Sequence, residues 1–259
     1  MPAEYGATSA VFYDDFATGV AGDVAFYVAQ ARAAGSPVLE LGCGTGRILF
    51  PIAQAGIEIV GLDASRHMLA IAENKLTASP PDVRRCVRLI AGDMREFALA
   101  QRFALVVIPY RAFLHNLQPD DQLRTLACVR EHLVAGGRFI FNIFDPDVSK
   151  LAAGRWVMPP ERRRELRHPV TGNPVSVQED FRYDLERQLV EGAFVFEERD
   201  ATTGAVVGTV RSPLTLRYVF RWEMDHLLAR AGFRVEALFG DFAGGPFRAG
   251  GEQVWVARR

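Results

Sequence analysis

Along the first 145 residues, short and almost wholly apolar runs recur at intervals. They are "VLEL" from Val38, "IEIVGLD" ending at Asp63, "VRLIAGD" ending at Asp93, "FALVVIPY" ending at Tyr110 and "GGRFIFNIFD" ending at Asp145. Runs of this length without polar alternation read as strands covered on both faces. The segments between them carry apolar residues at three- and four-residue spacing. A helix is expected within residues 8–34, where Val24, Tyr27, Val28 and Ala31 share a face and Gly35-Ser36-Pro37 ends the run. Another should cover about Arg47 to Ala55. "SRHMLAIAENKL" predicts a helix with Ser65 as its N-cap, and "PDDQLRTLACVREHL" one opened by Pro119 with acids in its first turn. Strands alternating with helices predict an α/β fold: a doubly wound, mostly parallel, Rossmann-like sheet with helices on both faces.

After Asp145-Pro146 the texture changes to alternation of polar and apolar residues. Thr171-Gly172-Asn173 and Thr203-Gly204 are turn candidates within it. Three or four antiparallel strands are expected over roughly 160–218. Then "RWEMDHLLARAGF" reads as a helix closed by Gly232, and "RVEALFGDF" and "EQVWVARR" as strands that rejoin the main sheet. The expected organisation is therefore a core of residues 1–146 and 219–259, with residues 147–218 as an antiparallel β insertion and candidate substrate lid. No internal repeat or low-complexity tail interrupts it.

Composition narrows the function. The 259 residues are 49% hydrophobic and 24% charged with a formal net charge of -1, so no overall basic field draws the chain to nucleic acid. No apolar run has the length needed to span a bilayer, and "MPAEYGATSAVFYDDF" shows neither a basic start nor an apolar signal core. Cys43, Cys86 and Cys128 lie far apart, and the five histidines are scattered, which argues against a disulfide framework or a metal site. The expectation is a cytoplasmic protein without a metal, a membrane or a nucleic-acid partner, acting as a monomer or homodimer.

Chemistry concentrates in "VLELGCGTGRILFPIA", where Gly42, Gly44 and Gly46 follow a strand and precede a helix. Such a turn presents backbone N–H groups and lets a ligand approach without Cβ clashes. An acid at the end of the next strand, Asp63, is placed to hold two ribose hydroxyls. Glu40, Asp63, Asp93 and Pro109-Tyr110 all fall at the carboxyl ends of strands, where ligands of open α/β sheets bind. The glycine spacing is G-x-G-x-G, whereas dinucleotide sites use G-x-G-x-x-G. Glu40 just before the loop would repel a pyrophosphate but suits a cationic amino group. A nucleoside carrying an ammonium-bearing amino acid fits, and S-adenosylmethionine is such a ligand.

With these motifs in order, residues 37–145 and the final helix and strands resemble a class I S-adenosylmethionine-dependent methyltransferase. "GLDASRHMLAIA" and "AGFRVEALFGDF" look like the small-molecule branch, of the sugar N-methyltransferase and glycine/sarcosine type. The resemblance implies that Glu40 and the loop Gly42, Cys43, Gly44 and Gly46 contact the methionine moiety. It implies Asp63 on the ribose, Ala64 and Met68 beside the adenine, Asp93 on the adenine amino group and Met94 on its ring. Pro109 and Tyr110 would line the methyl-transfer end, and Tyr13 would reach the cofactor carboxylate. Tyr110 and His115 are candidate general bases, and Arg111 or Arg217 candidate anchors for an anionic acceptor group. His115 has an equally simple reading as the cap of a short helix. Phe194 and Phe196 read as an inner sheet face. Trp156 and Trp222 read as packing residues, and Arg162, Arg163, Arg164 and Arg167, interleaved with acids, as a solvated face.

The expected activity is methyl transfer from S-adenosylmethionine to nitrogen or oxygen of a small molecule, with S-adenosylhomocysteine as product. An RNA or protein methyltransferase and a binding subunit without catalysis are the alternatives. An NAD-dependent oxidoreductase is disfavoured by the glycine spacing. The asparagine-proline-proline-aromatic signature of DNA adenine methyltransferases is absent, since the fourth strand runs into "IPYRAF".

Overall fold

The computed structural model describes residues 12–259. Their contacts divide into two units, residues 19–146 with 218–259 and residues 12–18 with 147–217.

The larger unit holds a seven-stranded sheet. In chain order its strands are β1 (Val38–Leu41), β2 (Ile59–Asp63), β3 (Val87–Ala91), β4 (Phe103–Ile108), β5 (Leu133–Phe144), β11 (Arg234–Phe239) and β12 (Glu252–Arg258), with β6 to β10 in the smaller unit. The spatial order is β11-β12-β5-β4-β1-β2-β3. β1 to β5 pair in parallel, and β12 inserts antiparallel between β5 and β11. The expected doubly wound fold and the return of the two last strands are both present. The order steps outward from β1 in both directions, so the crevice at the carboxyl ends of β1 and β4 is the switch point where such sheets bind ligands.

Among the described residues, the region expected to be one helix over 8–34 contains two, α1 (Tyr13–Phe16) in the smaller unit and α2 (Asp23–Ala34) in the larger. Gly19 and Gly22 between them take φ of 90° and 83°, which no helix sustains. Residues 8–11 of that expectation lie outside the described residues. Tyr27 and Ala31 of α2 are fully buried, while Val24 and Val28 pack at the margin of the core. α3 (Leu49–Gln54), α4 (Arg66–Ala78) and α6 (Pro119–His132) stand where the pattern puts them. Ser65 caps α4, its Oγ accepting from the Met68 N–H at 3.3 Å. The pattern missed α5 (Pro81–Cys86), a six-residue helix too short to show periodicity. α8 (Arg221–Arg230) precedes β11 and is closed by Gly232 at φ 80°.

The seat of α3 on the sheet depends on a missing side chain. A Cβ on Gly61 of β2 would lie 2.3 Å from Leu49 Cδ1 and 2.9 Å from Cys43 Sγ, both buried groups. Overpacking of this kind costs about 1–3 kcal/mol. Gly61→Ala should therefore lower the midpoint of urea unfolding; a midpoint equal to that of the parent protein would show that the helix shifts without strain.

The smaller unit is built on a five-stranded sheet: β6 (Arg155–Val157), β7 (Arg164–Arg167), β8 (Pro174–Asp184), β9 (Leu189–Arg199) and β10 (Val206–Arg217). All its pairings are antiparallel. It has one strand more than the alternation suggested, because β6 is too short to read. A short helix, α7 (Val148–Ala153), was also not foreseen; Asp147 caps it by accepting from the N–H groups of Ser149 and Lys150. Both predicted turns are present, between β7 and β8 and between β9 and β10. Residues 12–18, grouped with the core by sequence, pack within this unit. Phe12 stacks on Phe196 at 4.9 Å, and Phe16 meets Phe194 edge-on at 4.6 Å. Phe194 and Phe196 thus line an inner face, as alternation predicts.

Candidate active site

The loop after β1 is shaped by its glycines. Gly42, Gly44 and Gly46 take φ of 70°, 54° and 89°, the left-handed region open to glycine. A Cβ on Gly42 would fall 2.8 Å from the Ala112 Cβ, so the loop and the turn after β4 touch because that atom is missing. The N–H groups of Gly42 and Cys43 donate to Leu62 O, which ties the loop to β2. Cys43 is 4% exposed, and burial pushes its thiol well up from its ordinary value, as befits a packing residue rather than a nucleophile.

Asp63 organises the turn at the end of β2. One carboxylate oxygen accepts from the Gly44 N–H at 2.7 Å and the other from the Ser65 N–H at 2.7 Å. Burial raises its carboxyl above the ordinary value; those two bonds and the neighbouring His115 act in the opposite direction. Ala64 is exposed beside it, while Met68 is 2% exposed.

Glu40 is the most unusual group in the site. It is 2% exposed, and its Oε2 is buried with no hydrogen-bond partner. Burial pushes its carboxyl well above the ordinary range, Arg47 counteracts this, and Asp63 adds to it. A buried carboxylate oxygen is acceptor-only when ionised and costs free energy unless a donor reaches it. Arg47 itself is held by Asp23 through bonds of 2.9 and 2.7 Å. The site therefore contains an unmet demand for a cationic donor just ahead of the glycine loop. The ammonium of S-adenosylmethionine fits that demand, and a pyrophosphate does not.

Asp93 follows β3. Both its oxygens accept from Arg95, at 2.8 and 3.0 Å from Nε, and the Arg95 N–H adds a third bond at 2.9 Å. The guanidinium holds the Asp93 carboxyl below its ordinary value. Arg95 also reaches Asp121 at 3.4 Å. Sequence reasoning missed Arg95, although an arginine two residues after an acid at a strand end was the available signal. Met94 lies beside Gly42, its Cε 3.5 Å from the position of a Cβ there, and its sulfur accepts from Asn116 Nδ2 at 3.6 Å.

Pro109 is buried, and Tyr110 and Arg111 after it take φ of 51° and 68°. Left-handed backbone in non-glycine residues costs roughly 1–2 kcal/mol each, so the surrounding structure must enforce it. The Arg47 guanidinium sits 5.0 Å from the Tyr110 ring centre. Arg111 bonds Glu252 at 2.9 Å, a pairing that offsets the charge for which it is a candidate anion anchor. His115 is the last residue of a short 3-10 turn, Ala112–His115, whose C-cap is Asn116, and it lies within electrostatic reach of Asp63.

Glu40, the glycine loop, Asp63, Met68, Asp93, Met94, Pro109, Tyr110, Arg111 and His115 thus all belong to the larger unit. Tyr13 and Arg217 belong to the smaller one. Tyr13 opens α1, 6.2 Å from the Phe16 ring, and Arg217 donates to Arg187 O and Gln188 Oε1 at 3.0 Å each. Trp222, expected to pack, is 62% exposed with the Arg221 guanidinium 4.4 Å from its ring centre. Among the described residues, no group of three or more His, Cys, Asp or Glu is placed to hold a metal ion.

Comparison with known proteins agrees with this geometry. Residues 38–137 match the model of a methyltransferase domain. The chain is 27% identical to the cypemycin N-terminal methyltransferase of a Streptomyces species, covering 98% of this chain and 97% of that one. It is 31% identical over 117 residues to a dTDP-3-amino-3,4,6-trideoxy-alpha-D-glucopyranose N,N-dimethyltransferase of Streptomyces venezuelae, covering 45% of this chain and 46% of that one. Among solved structures, the CcbJ methyltransferase of Streptomyces caelestis superposes with a TM-score of 0.83 at 26% identity, covering 98% of this chain and 97% of that one. Fold, glycine loop and comparisons converge: residues 38–137 carry a methyltransferase domain, and along nearly its whole length the chain is similar to methyltransferases.

Proposed function

We propose that this protein transfers the methyl group of S-adenosylmethionine to a nitrogen or oxygen atom of a small molecule, with an amine nitrogen the favoured acceptor. The observation that carries the cofactor is the buried, unpartnered Glu40 oxygen beside a glycine loop. The preference for nitrogen rests on relatives named for transfer to a peptide N-terminus and to an amino sugar. Because the peptide N-terminal enzyme matches along nearly the whole chain, a peptide α-amine is the second reading of the acceptor.

The cofactor supplies a sulfonium methyl already activated for in-line displacement. The protein's part is to orient, to exclude water and, for a protonated amine, to accept a proton. Glu40 receives the ammonium, the Gly42–Gly46 loop the methionine chain, and Asp63 the ribose hydroxyls. Ala64, Met68 and Met94 flank the adenine, and Asp93 takes its amino group. Pro109 and Tyr110 line the methyl end, with Tyr110 or His115 as proton acceptor. Tyr13 on the cofactor carboxylate, Arg217 on the acceptor, a specificity role for residues 147–218 and a cytoplasmic location complete the proposal. Among the described residues no helix is long and apolar enough to cross a membrane.

Calorimetry with S-adenosylhomocysteine and with NAD tests the cofactor: micromolar binding of the first and none of the second is expected, and the reverse would end the proposal. A screen of small amines and short peptides for methyl transfer then tests the acceptor. Unchanged turnover in both Tyr110→Phe and His115→Ala would remove a side-chain base.

A further inference from the structure

The left-handed turn at Tyr110 and Arg111 is held from below by one side chain. Asn142, on β5, is fully buried. Its Oδ1 accepts from the Tyr110 N–H at 2.8 Å and from the Tyr27 hydroxyl at 2.9 Å. Its Nδ2 donates to Glu252 Oε1 at 2.6 Å, and its main-chain oxygen accepts from the Arg111 N–H at 3.0 Å. Glu252 Oε2 in turn accepts from Arg111 Nη2 at 2.9 Å. The amide orientation follows from its partners: a backbone N–H can only donate and a carboxylate only accept, so oxygen must face Tyr110 and nitrogen must face Glu252. Burial raises the Tyr27 hydroxyl well above its ordinary value, with Asp23, Glu252 and Glu40 adding to the effect, so it remains a donor.

We propose that Asn142, seated by Glu252 and Tyr27, is the positioning residue of the methyl-transfer end: it fixes the backbone of Tyr110 and Arg111 against the glycine loop. This rests on the reading that Pro109 and Tyr110 line that end. The network joins α2, the turn after β4, β5 and β12, and the asparagine carboxamide meets it with two acceptor bonds on its oxygen and a donor on its nitrogen without bringing a charge. Its loss frees the turn while leaving the ammonium and ribose contacts in place.

The test uses the full chain. In Asn142→Leu, hydrogen-exchange protection of the Tyr110 amide should fall about tenfold or more, while protection across Val38–Leu41 stays within threefold. Binding of S-adenosylhomocysteine should also stay within threefold, but the ratio of its affinity to that of S-adenosylmethionine, which differs only at the methyl-bearing sulfur, should change at least fivefold. In Asn142→Asp the second carboxylate oxygen faces Glu252. A proton shared between the two restores the lost donor at acid pH, so protection of Tyr110 should return as pH falls, with Tyr27, Arg111, Asp23, Glu40 and Arg47 as the other ionisable groups around the site. Unchanged Tyr110 protection, an unchanged affinity ratio, or loss of protection across the whole sheet in Asn142→Leu would overturn the proposal. Should Asn142→Leu fail to fold, a pH-independent Tyr110 protection in Asn142→Asp overturns it equally. Failure of the parent protein to bind S-adenosylhomocysteine would refute the cofactor reading alone, and the exchange data would still decide whether Asn142 holds the turn.

Discussion

Asp63→Asn should weaken S-adenosylhomocysteine binding about 100-fold, equivalent to ~2.7 kcal/mol. The reason lies in the two oxygens of Asp63, each facing a backbone N–H, that of Gly44 or that of Ser65. Asparagine has one acceptor and one donor group, so in either orientation an NH2 meets an N–H. One half-buried donor goes unsatisfied, at about 1–3 kcal/mol, which weakens the tether that Asp63 makes between the glycine loop and the turn after β2, while the bonds of Gly42 and Cys43 to Leu62 O remain. The ribose hydroxyls lose a charged acceptor at the same time. Calorimetry measures the affinity, and urea unfolding of the ligand-free protein separates the tether from the ribose contact. An affinity within threefold of the parent value would remove Asp63 from the cofactor site.

Glu40→Met should have opposite effects on binding and on stability. The substitution removes a buried carboxylate that has an unpartnered oxygen, so the ligand-free protein should gain about 1 kcal/mol or more at alkaline pH. Cofactor affinity should fall about 100-fold, because the ammonium would enter an apolar pocket without its counter-charge. The sign of the pH dependence follows from the raised carboxyl. Glu40 takes up its proton more readily in the folded state than in the unfolded one, so its contribution to stability is fully present below the ordinary value of 4.5 and is lost as pH rises through the raised folded value. The stabilising effect of Glu40→Met should accordingly grow with pH across that interval. Affinity for S-adenosylhomocysteine should rise over the same interval in the parent protein, with proton release on binding, since the ammonium needs the ionised form. Asp63, also raised by burial, acts with the same sign. Calorimetry in buffers of different ionisation enthalpy reads the released proton. A pH-independent affinity would show that the ligand does not meet Glu40.

Both predictions begin at positions that the chain announces locally. An acid directly before a glycine turn and another at the end of the next apolar run are separated by strand, loop and helix of ordinary length, so their convergence follows from the repeat itself. The same holds for the Ser65 cap, where donor and acceptor are three residues apart. Other local features stayed hidden because they are too short to carry a period: β6 with three residues, and α5 and α7 with six each. The break between α1 and α2 depends on φ at Gly19 and Gly22, and glycine is compatible with either sign.

The chain by itself determined the α/β fold, the glycine loop, the acids at the strand ends and the family they imply. The first three rest on apolar runs and local spacing, and the family on the resemblance of those motifs taken in order. The tertiary structure decided what each acid meets. It paired Asp93 with Arg95, left the Glu40 oxygen unpartnered, and joined Tyr27, Tyr110, Arg111, Asn142 and Glu252 into one buried network. Asn142 and Glu252 are 110 residues apart and meet because β12 lies antiparallel beside β5 with Val254 opposite Asn142 and Glu252 opposite Phe144. Register is set by how whole strands bury their faces, and no window of sequence holds both partners.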